Sequence, residues 1–122
     1  METLHMCLNV TDVERAVDYY TTEFGFEETW SFEAADGSVN RYVAADDGVE
    51  LQLSETASDG ALAEGELWDH LAFVVDDVDA QFEAIENHGV VKEPGDQPAA
   101  GARTAMIRDP DGHVIELVQP DD

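Results

Sequence analysis

Apolar residues recur with two different periods at the start of the chain. Over residues 3–10 they alternate with polar residues, which predicts a strand that places His5, Cys7 and Asn9 on one face. Over residues 13–24 they recur three or four positions apart, which predicts an amphipathic helix. A glycine follows directly, where a helix commonly ends.

Three more strands are predicted before residue 55. They cover residues 26–34, 39–45 and 49–54. Asp36-Gly37 and Asp47-Gly48 separate them, and Asp-Gly pairs are typical of the tight turns that join antiparallel strands. The first half of the chain therefore predicts a βαβββ unit.

The second half repeats this order of elements. We predict a strand, a helix, a short strand and two longer strands at residues 69–75, 77–88, 90–93, 103–108 and 113–119. The small, polar and acidic residues 57–65 predict a linker. The Pro-, Gly- and Ala-rich residues 94–102 predict an irregular segment, which is either a loop near a site or a plain connector.

The two halves also match in titratable residues. His5 corresponds to His70 at an offset of 65, and Glu50 matches Glu116 at an offset of 66. A fixed-period repeat of this kind indicates two copies of one structural unit. We therefore predict an α+β fold in a single domain, 1–122, built from two βαβββ modules that form a curved mixed β-sheet with a cleft. Module one covers about 1–56, the linker about 57–65 and module two about 66–122.

The matched residues suggest a metal site. Two imidazoles and two carboxylates, with no thiolate, suit a divalent first-row metal, and four protein ligands leave room for water or substrate. Taken singly, a strand histidine is more often structural, and acidic residues are abundant here; the paired spacing favours the metal. Small or polar residues share the ligand faces and favour a cavity over a packed core: Cys7, Asn9, Gln52, Ser54, Ala72 and Val74.

Four other side chains are interpreted from their positions in the predicted elements. Cys7 is interpreted as a small buried hydrophobe rather than a ligand. Trp30 and Phe32 share one strand face and either line an apolar pocket or belong to the core. His113 is interpreted as a surface turn residue.

Charge limits the partners and the setting. The 122 residues carry 29 acidic and five basic side chains, a net charge of −24. Such a surface repels nucleic acid and anionic membranes, and no apolar run is long enough to span a bilayer. Molar salt screens this repulsion, which indicates a halophilic cytoplasm. The single cysteine and the absence of a recognisable secretory signal also predict a soluble, cytoplasmic protein.

These features resemble the vicinal oxygen chelate superfamily. The resemblance rests on the paired modules, the start shared by HMCLNVTDV and HLAFVVDDV, and the DPDGHVIEL ending. Within the superfamily the chain is most similar to glyoxalase I (lactoylglutathione lyase), which uses His, Glu, His and Glu in the order of His5, Glu50, His70 and Glu116. Alternatives are metal-dependent epimerases, which have Gln at the position of Glu50, dioxygenases, and resistance modules that bind a small molecule.

The resemblance implies a reaction and its cofactor. The substrate would be the hemithioacetal of a 2-oxoaldehyde, methylglyoxal, and a low-molecular-weight thiol, and the product a lactoyl thioester. Glu116 would be the main base and Glu50 its counterpart. The cofactor would be a divalent metal, Ni²⁺ first, with Co²⁺, Mn²⁺, Zn²⁺ and Fe²⁺ as alternatives.

The thiol and the assembly also follow from the resemblance. Asn9 and Ser54 occupy the positions where glutathione-using relatives carry Arg and Asn, so a different thiol, such as γ-glutamylcysteine, is expected. Arg41, Arg103 or Arg108 could hold a substrate carboxylate or be surface charges. A homodimer is implied, with the metal site either shared between two subunits or completed within one chain.

Overall fold

The computed structural model describes residues 4–55, 62 and 68–122. The chain divides into two compact units, Met1–Ala63 and Glu64–Asp122. Of the predicted linker, 57–65, only residue 62 is described, so the rest of that prediction lies outside the described residues. In the described part of the chain, no helix is long and apolar enough to cross a membrane.

Unit one consists of one helix and a four-stranded mixed sheet. Its elements are β1 (His5–Val10), α1 (Val13–Phe24), β2 (Glu27–Glu33), β3 (Val39–Ala44) and β4 (Glu50–Glu55). The strand order is β1-β4-β3-β2, with β1 parallel to β4 and the other neighbours antiparallel. The connection from β1 to the parallel β4 runs through α1 and the β2–β3 hairpin.

Helix α1 begins and ends where the sequence predicts. The carboxylate of Asp12 accepts a hydrogen bond from the backbone N–H of Arg15 at 3.1 Å, which caps the first turn. Gly25 then adopts a left-handed conformation with φ of 68°, which a residue without a side chain reaches at little cost. Both ends are thus fixed by local chemistry.

The alternation along the strands gives the sheet of unit one two distinct faces. One face packs against α1 and is apolar: Leu8, Val43, Leu51 and Leu53 are all nearly fully buried. The other face carries every second residue instead and has no helix of this unit on it. We call it the helix-free face.

Unit two repeats the same topology. Its elements are β5 (Leu71–Val74), α2 (Val78–Ala84), β6 (Val90–Gln97), a short 3-10 helix (Pro98–Ala100), β7 (Ala102–Arg108) and β8 (Val114–Pro120). The strand order is β5-β8-β7-β6, with β5 parallel to β8. The two four-stranded mixed sheets confirm the predicted fold class of paired βαβββ modules.

The structure differs from the predictions in two places of unit two. Helix α2 ends at Ala84, because Ile85 is already extended, with φ of −73° and ψ of 130°. The irregular segment predicted at 94–102 is wrong for residues 94–97, since β6 continues to Gln97, whereas residues 98–101 lie between the strands. Register irregularities on either side of Lys92 accommodate Pro94 and Gly95 in this edge strand.

Candidate metal centre

The parallel pair β1/β4 aligns the predicted site residues of unit one. His5 lies opposite Glu50, and Asn9 lies opposite Ser54. Because strand side chains alternate, all four belong to the helix-free face. The predicted thiol-binding residues Asn9 and Ser54 are therefore direct neighbours. In the same direction along the strands, the pair Cys7 and Gln52 lies two residues away and the pair His5 and Glu50 lies four residues away.

His5 and Glu50 each contact a neighbouring strand. The Thr29 hydroxyl of β2 donates a hydrogen bond to the Glu50 carboxylate. The His5 ring meets the Tyr42 ring edge-on, with centroids 5.6 Å apart and planes at 84°. Burial, together with the nearby Cys7 and Glu50, raises the pKa of the Tyr42 hydroxyl, so this side chain stays neutral at ordinary pH.

His70 in unit two has an arrangement typical of a metal-ligating histidine. Its Nδ1 lies 2.6 Å from a carboxylate oxygen of Asp69, and its Nε2 lies 3.4 Å from Oε1 of Glu116. A carboxylate that holds one ring nitrogen fixes the tautomer and directs the other nitrogen as an electron-pair donor. Both His70 and Glu116 remain partly exposed, at 30% and 21% of their side-chain areas.

The register of the two units corrects the sequence match between Glu50 and Glu116. In unit two, Glu116 lies opposite Ala72, two positions beyond His70. Two positions beyond His5 is Cys7, and its partner on β4 is Gln52. The prediction that Glu50 and Glu116 occupy equivalent positions is therefore wrong, because Gln52 holds the place in unit one that Glu116 holds in unit two.

The turns before the two strands support the same equivalence. In each, a glycine N–H donates to a carbonyl three residues back: Gly48 to Ala45, and Gly112 to Asp109. Gln52 and Glu116 each follow that glycine by four residues. The sequence comparison paired Glu50 with Glu116 instead, because each lies in a similar triplet, VEL at 49–51 and IEL at 115–117.

A chain of buried amides orients Gln52. Its Nε2 donates to Oδ1 of Asn40 at 2.9 Å, and Nδ2 of Asn40 donates to the backbone carbonyl and hydroxyl oxygens of Ser38 at 3.3 Å. Asn40 is only 3% exposed, so these bonds are shielded from water. Because the Gln52 amide nitrogen donates to Asn40, the amide oxygen, Oε1, points away from Asn40.

The donors present suit a divalent cation. Each unit supplies an imidazole and, two rungs along the same ladder, a side-chain oxygen. Nitrogen and oxygen donors of this kind suit Ni²⁺, Co²⁺, Mn²⁺, Fe²⁺ and Zn²⁺. In the portion of the chain that the structure describes, no three His, Cys, Asp or Glu side chains form a cluster able to hold a metal by themselves.

Two of the sequence interpretations are wrong. Cys7 is exposed on the helix-free face rather than buried, because the odd-numbered residues of β1 face away from α1. His113 is not a free turn residue, since its Nδ1 lies 2.7 Å from Oδ2 of the fully buried Asp109. Asp109 also accepts the backbone N–H groups of Asp111 and His113, which fixes the turn before β8.

Aromatic side chains form a stack on the helix-free face of unit one. The Trp30 and Tyr42 rings are parallel within 16° at a centroid distance of 4.5 Å, and Phe32 lies 5.3 Å from Trp30. Trp30 remains 51% exposed, so the stack does not belong to the buried core. Of the two interpretations of Trp30 and Phe32, the apolar wall is favoured.

The arginines that were candidates for a substrate carboxylate have partners elsewhere. Arg41 donates to Glu28 at 2.9 Å. Arg103 donates to Asp79 of α2 at 2.8 Å and 2.9 Å and to Asp96, on the helix-packed side of its sheet. Arg108 donates to the carbonyl of Gly112 at 2.7 Å and so belongs to the turn before β8.

Comparison with known proteins identifies the family. The model of the Glyoxalase/Bleomycin resistance protein/Dioxygenase superfamily matches residues 3–117. The chain belongs to this superfamily, which confirms the resemblance found in the sequence. A lactoylglutathione lyase of Escherichia coli O157:H7 is 30% identical over 130 residues, covering 100% of this chain and 95% of its own length. A probable lactoylglutathione lyase of Vibrio cholerae is 28% identical, with 95% and 88% covered.

Solved structures agree in fold and differ in function. Glyoxalase I from Zea mays matches with a TM-score of 0.86 and 25% identity over 99% of this chain, which spans about half of the maize chain, 45%. TnmS3, an antibiotic binding protein from Streptomyces, matches with a TM-score of 0.77 and 30% identity, with 99% and 97% covered. The fold is thus shared by a glyoxalase I and by an antibiotic binding protein.

Proposed function

We propose that this protein is a metal-dependent, glyoxalase I-like lyase. It would convert the hemithioacetal of methylglyoxal and a low-molecular-weight thiol into a lactoyl thioester. The observation that carries the proposal is the His70 arrangement, in which Asp69 holds one ring nitrogen and the other is directed at Glu116. Relatives named lactoylglutathione lyase, matched over almost the whole chain, support the reaction class.

The proposed ligands are His5, His70, Glu116 and one side chain of β4. Glu50 is the residue expected from the sequence, and it shares the helix-free face with Gln52. The register and the oriented amide favour Gln52, so we propose Gln52 as the ligand. We propose Ni²⁺ first, with Co²⁺, Mn²⁺, Zn²⁺ and Fe²⁺ as alternatives; when bound, the cation would stabilise negative charge that develops on the substrate oxygens.

Glu116 is the proposed proton carrier. The reaction removes a proton from one carbon and returns it to the next, and a carboxylate oxygen can do both. A Gln52 amide cannot take part, so Glu116 would act alone. Glu50, the second carboxylate expected from the sequence, accepts a hydrogen bond from Thr29 within unit one. Asn9 and Ser54, paired across β1 and β4, are proposed to contact the thiol part of the substrate.

The setting and assembly are proposals as well. We propose that the protein acts in a cytoplasm of high salt, since a net charge of −24 needs screening. We propose a homodimer, with the two copies related by an isologous interface. We expect no nucleic-acid or membrane partner, because the charge is strongly acidic.

A second candidate function is capture of a small molecule without chemistry. It is favoured by the likeness to TnmS3 and by the exposed stack of Trp30 on Tyr42. Aromatic faces bind planar apolar ligands well. Such a module needs neither a metal nor a proton carrier.

Metal content tests the proposal against this alternative. Protein loaded with Ni²⁺ should hold the ion after desalting, and His70→Ala and Glu116→Ala should lower the bound fraction measured by elemental analysis. His88→Ala removes an exposed histidine outside the proposed ligand set and should change nothing. Equal nickel content in His70→Ala, Glu116→Ala and His88→Ala would contradict the proposed ligand set.

A further inference from the structure

The only lysine of the chain, Lys92, lies in the same row of the sheet as Glu116. Lys92 of β6 is opposite Met106 of β7, and Met106 is opposite Glu116 of β8. Directly opposed residues project on the same face, so Lys92 and Glu116 share one face of the sheet of unit two. Arg103, which bonds to Asp79 of α2, projects on the opposite face. Two strand spacings of about 4.8 Å place their backbones roughly 10 Å apart.

Among the residues that the structure describes, Lys92 contacts a hydroxyl group rather than a carboxylate. Within residues 4–55, 62 and 68–122, no carboxylate lies within ion-pairing distance of its ammonium group. Arg41 and Arg103, by contrast, are paired with Glu28 and with Asp79. The ammonium group of Lys92 therefore differs from these two guanidinium groups in having no carboxylate within reach in the described part of the chain.

The surroundings of Lys92 can receive an anion. Its Nζ lies 3.5 Å from the hydroxyl of Thr104, a residue that is only 4% exposed. Lys92 itself is partly buried, and a partly desolvated ammonium is stabilised by an anion that accepts its hydrogen bonds. The hydroxyl is a second donor beside it, because Oγ1 of Thr104 can donate its own hydrogen to the same anion.

We propose that Lys92, assisted by Thr104, binds a carboxylate of the substrate's thiol portion. The inference rests on the proposed function, and it assigns the thiol to a class: a small thiol that bears a carboxylate, such as γ-glutamylcysteine. A separation of roughly 10 Å suits a carboxylate several bonds away from the carbon on which Glu116 acts. Lys92 is thus a specificity-determining residue and takes no part in proton transfer.

The test compares two thiols that differ in charge. Methylglyoxal adducts of γ-glutamylcysteine and of 2-mercaptoethanol would be assayed with nickel-loaded wild type, Lys92→Met and Lys92→Arg. Loss of a charge-assisted hydrogen bond should raise KM for the γ-glutamylcysteine adduct about tenfold or more in Lys92→Met, with little change in kcat. KM for the 2-mercaptoethanol adduct should not change. Lys92→Arg keeps the positive charge, so its KM for the γ-glutamylcysteine adduct should stay close to that of wild type.

A binding measurement separates this proposal from the proposed function. Calorimetry with S-methyl-γ-glutamylcysteine, which cannot react, should show weaker binding to Lys92→Met than to wild type. Arg41→Met also removes one positive charge, but from β3 of unit one, and therefore controls for the change in net charge. If no thiol adduct is turned over but this difference in binding persists, the lyase function fails and the carboxylate site stands.

Other outcomes would overturn the carboxylate site. One is an equal rise of KM for both adducts in Lys92→Met. Another is a loss of binding in Arg41→Met as large as in Lys92→Met. A third is unchanged binding and unchanged KM in Lys92→Met.

Discussion

Replacing Gln52 and Glu50 separately by Ala decides which residue of β4 holds the metal. Both side chains belong to the same strand and face, two residues apart, so the two variants form a matched pair. If Gln52 is the ligand, Gln52→Ala removes a donor atom and Glu50→Ala removes only a neighbouring charge. Molar potassium chloride would be present throughout to screen that charge.

The structure gives the size of each effect. Outer-shell partners of metal ligands are worth about 10–100-fold in affinity, so loss of a ligand should cost at least tenfold. Gln52→Ala also leaves Oδ1 of the buried Asn40 without its donor, which should lower the free energy of unfolding by about 1–3 kcal/mol. Glu50→Ala loses an exposed bond to Thr29, and we expect less than about 1 kcal/mol from it.

Nickel titration of metal-free protein measures the affinity, and thermal melting of the same samples measures stability. We expect a nickel affinity at least tenfold lower in Gln52→Ala and within about threefold of wild type in Glu50→Ala. The reverse order, with Glu50→Ala losing nickel and Gln52→Ala keeping it, would refute the argument from strand register.

Three other predictions follow from charge and symmetry. The melting temperature should rise from dilute buffer to molar potassium chloride, because salt screens a net charge of −24; a melting temperature independent of salt would contradict this. The Arg103 guanidinium lowers the pKa of Asp79, so their pair contributes stability above about pH 4 that is lost as pH falls through the lowered pKa. Asp79→Asn should therefore lower the melting temperature more at pH 7 than at pH 2, and an equal loss at both would refute it. Mixing inactive His5→Ala and His70→Ala proteins should restore activity if a homodimer shares its sites; no recovery after confirmed subunit exchange would place each site within one chain.

The elements of the fold were predictable because they depend on local patterns. Helix α1 is defined by nearby residues alone, namely the apolar spacing of Val13, Val17 and Tyr20 and the left-handed Gly25. The extent of β6 was not predictable in this way. Pro94 and Gly95 argue against a strand, and only the pairing of β6 with β7, with its irregular register, keeps them in one.

For the candidate site, the sequence indicates which residue types to consider, and the strand register changes one of the positions. His5 and His70 match at an offset of 65, and the structure places both at the same end of equivalent parallel pairs. The match of Glu50 with Glu116 relied on residue identity. Residues 50 and 52 lie on the same face of β4, so the face alone does not distinguish Glu50 from Gln52. Counting from Gly48 and Gly112 would have paired Gln52 with Glu116 from the sequence alone.

Two features of the candidate site could not be predicted from the sequence. The contact of Asp69 with His70 depends on side-chain orientation just before β5, and neighbouring residues in a sequence do not reveal it. The row that joins Lys92 to Glu116 crosses three strands and depends on the register of two strand pairs.

Thioester formation by nickel-loaded protein tests the central claim most directly. Methylglyoxal and γ-glutamylcysteine would be mixed with wild type and with Glu116→Gln in molar potassium chloride, and the lactoyl thioester would be followed by its absorbance and identified by mass. The account predicts thioester from wild type, none above background after the metal is removed by a chelator, and a rate about 10²–10⁴-fold lower in Glu116→Gln. The account would be contradicted if Glu116→Gln formed the thioester as fast as wild type. It would also be contradicted if none of these proteins formed a thioester with any thiol.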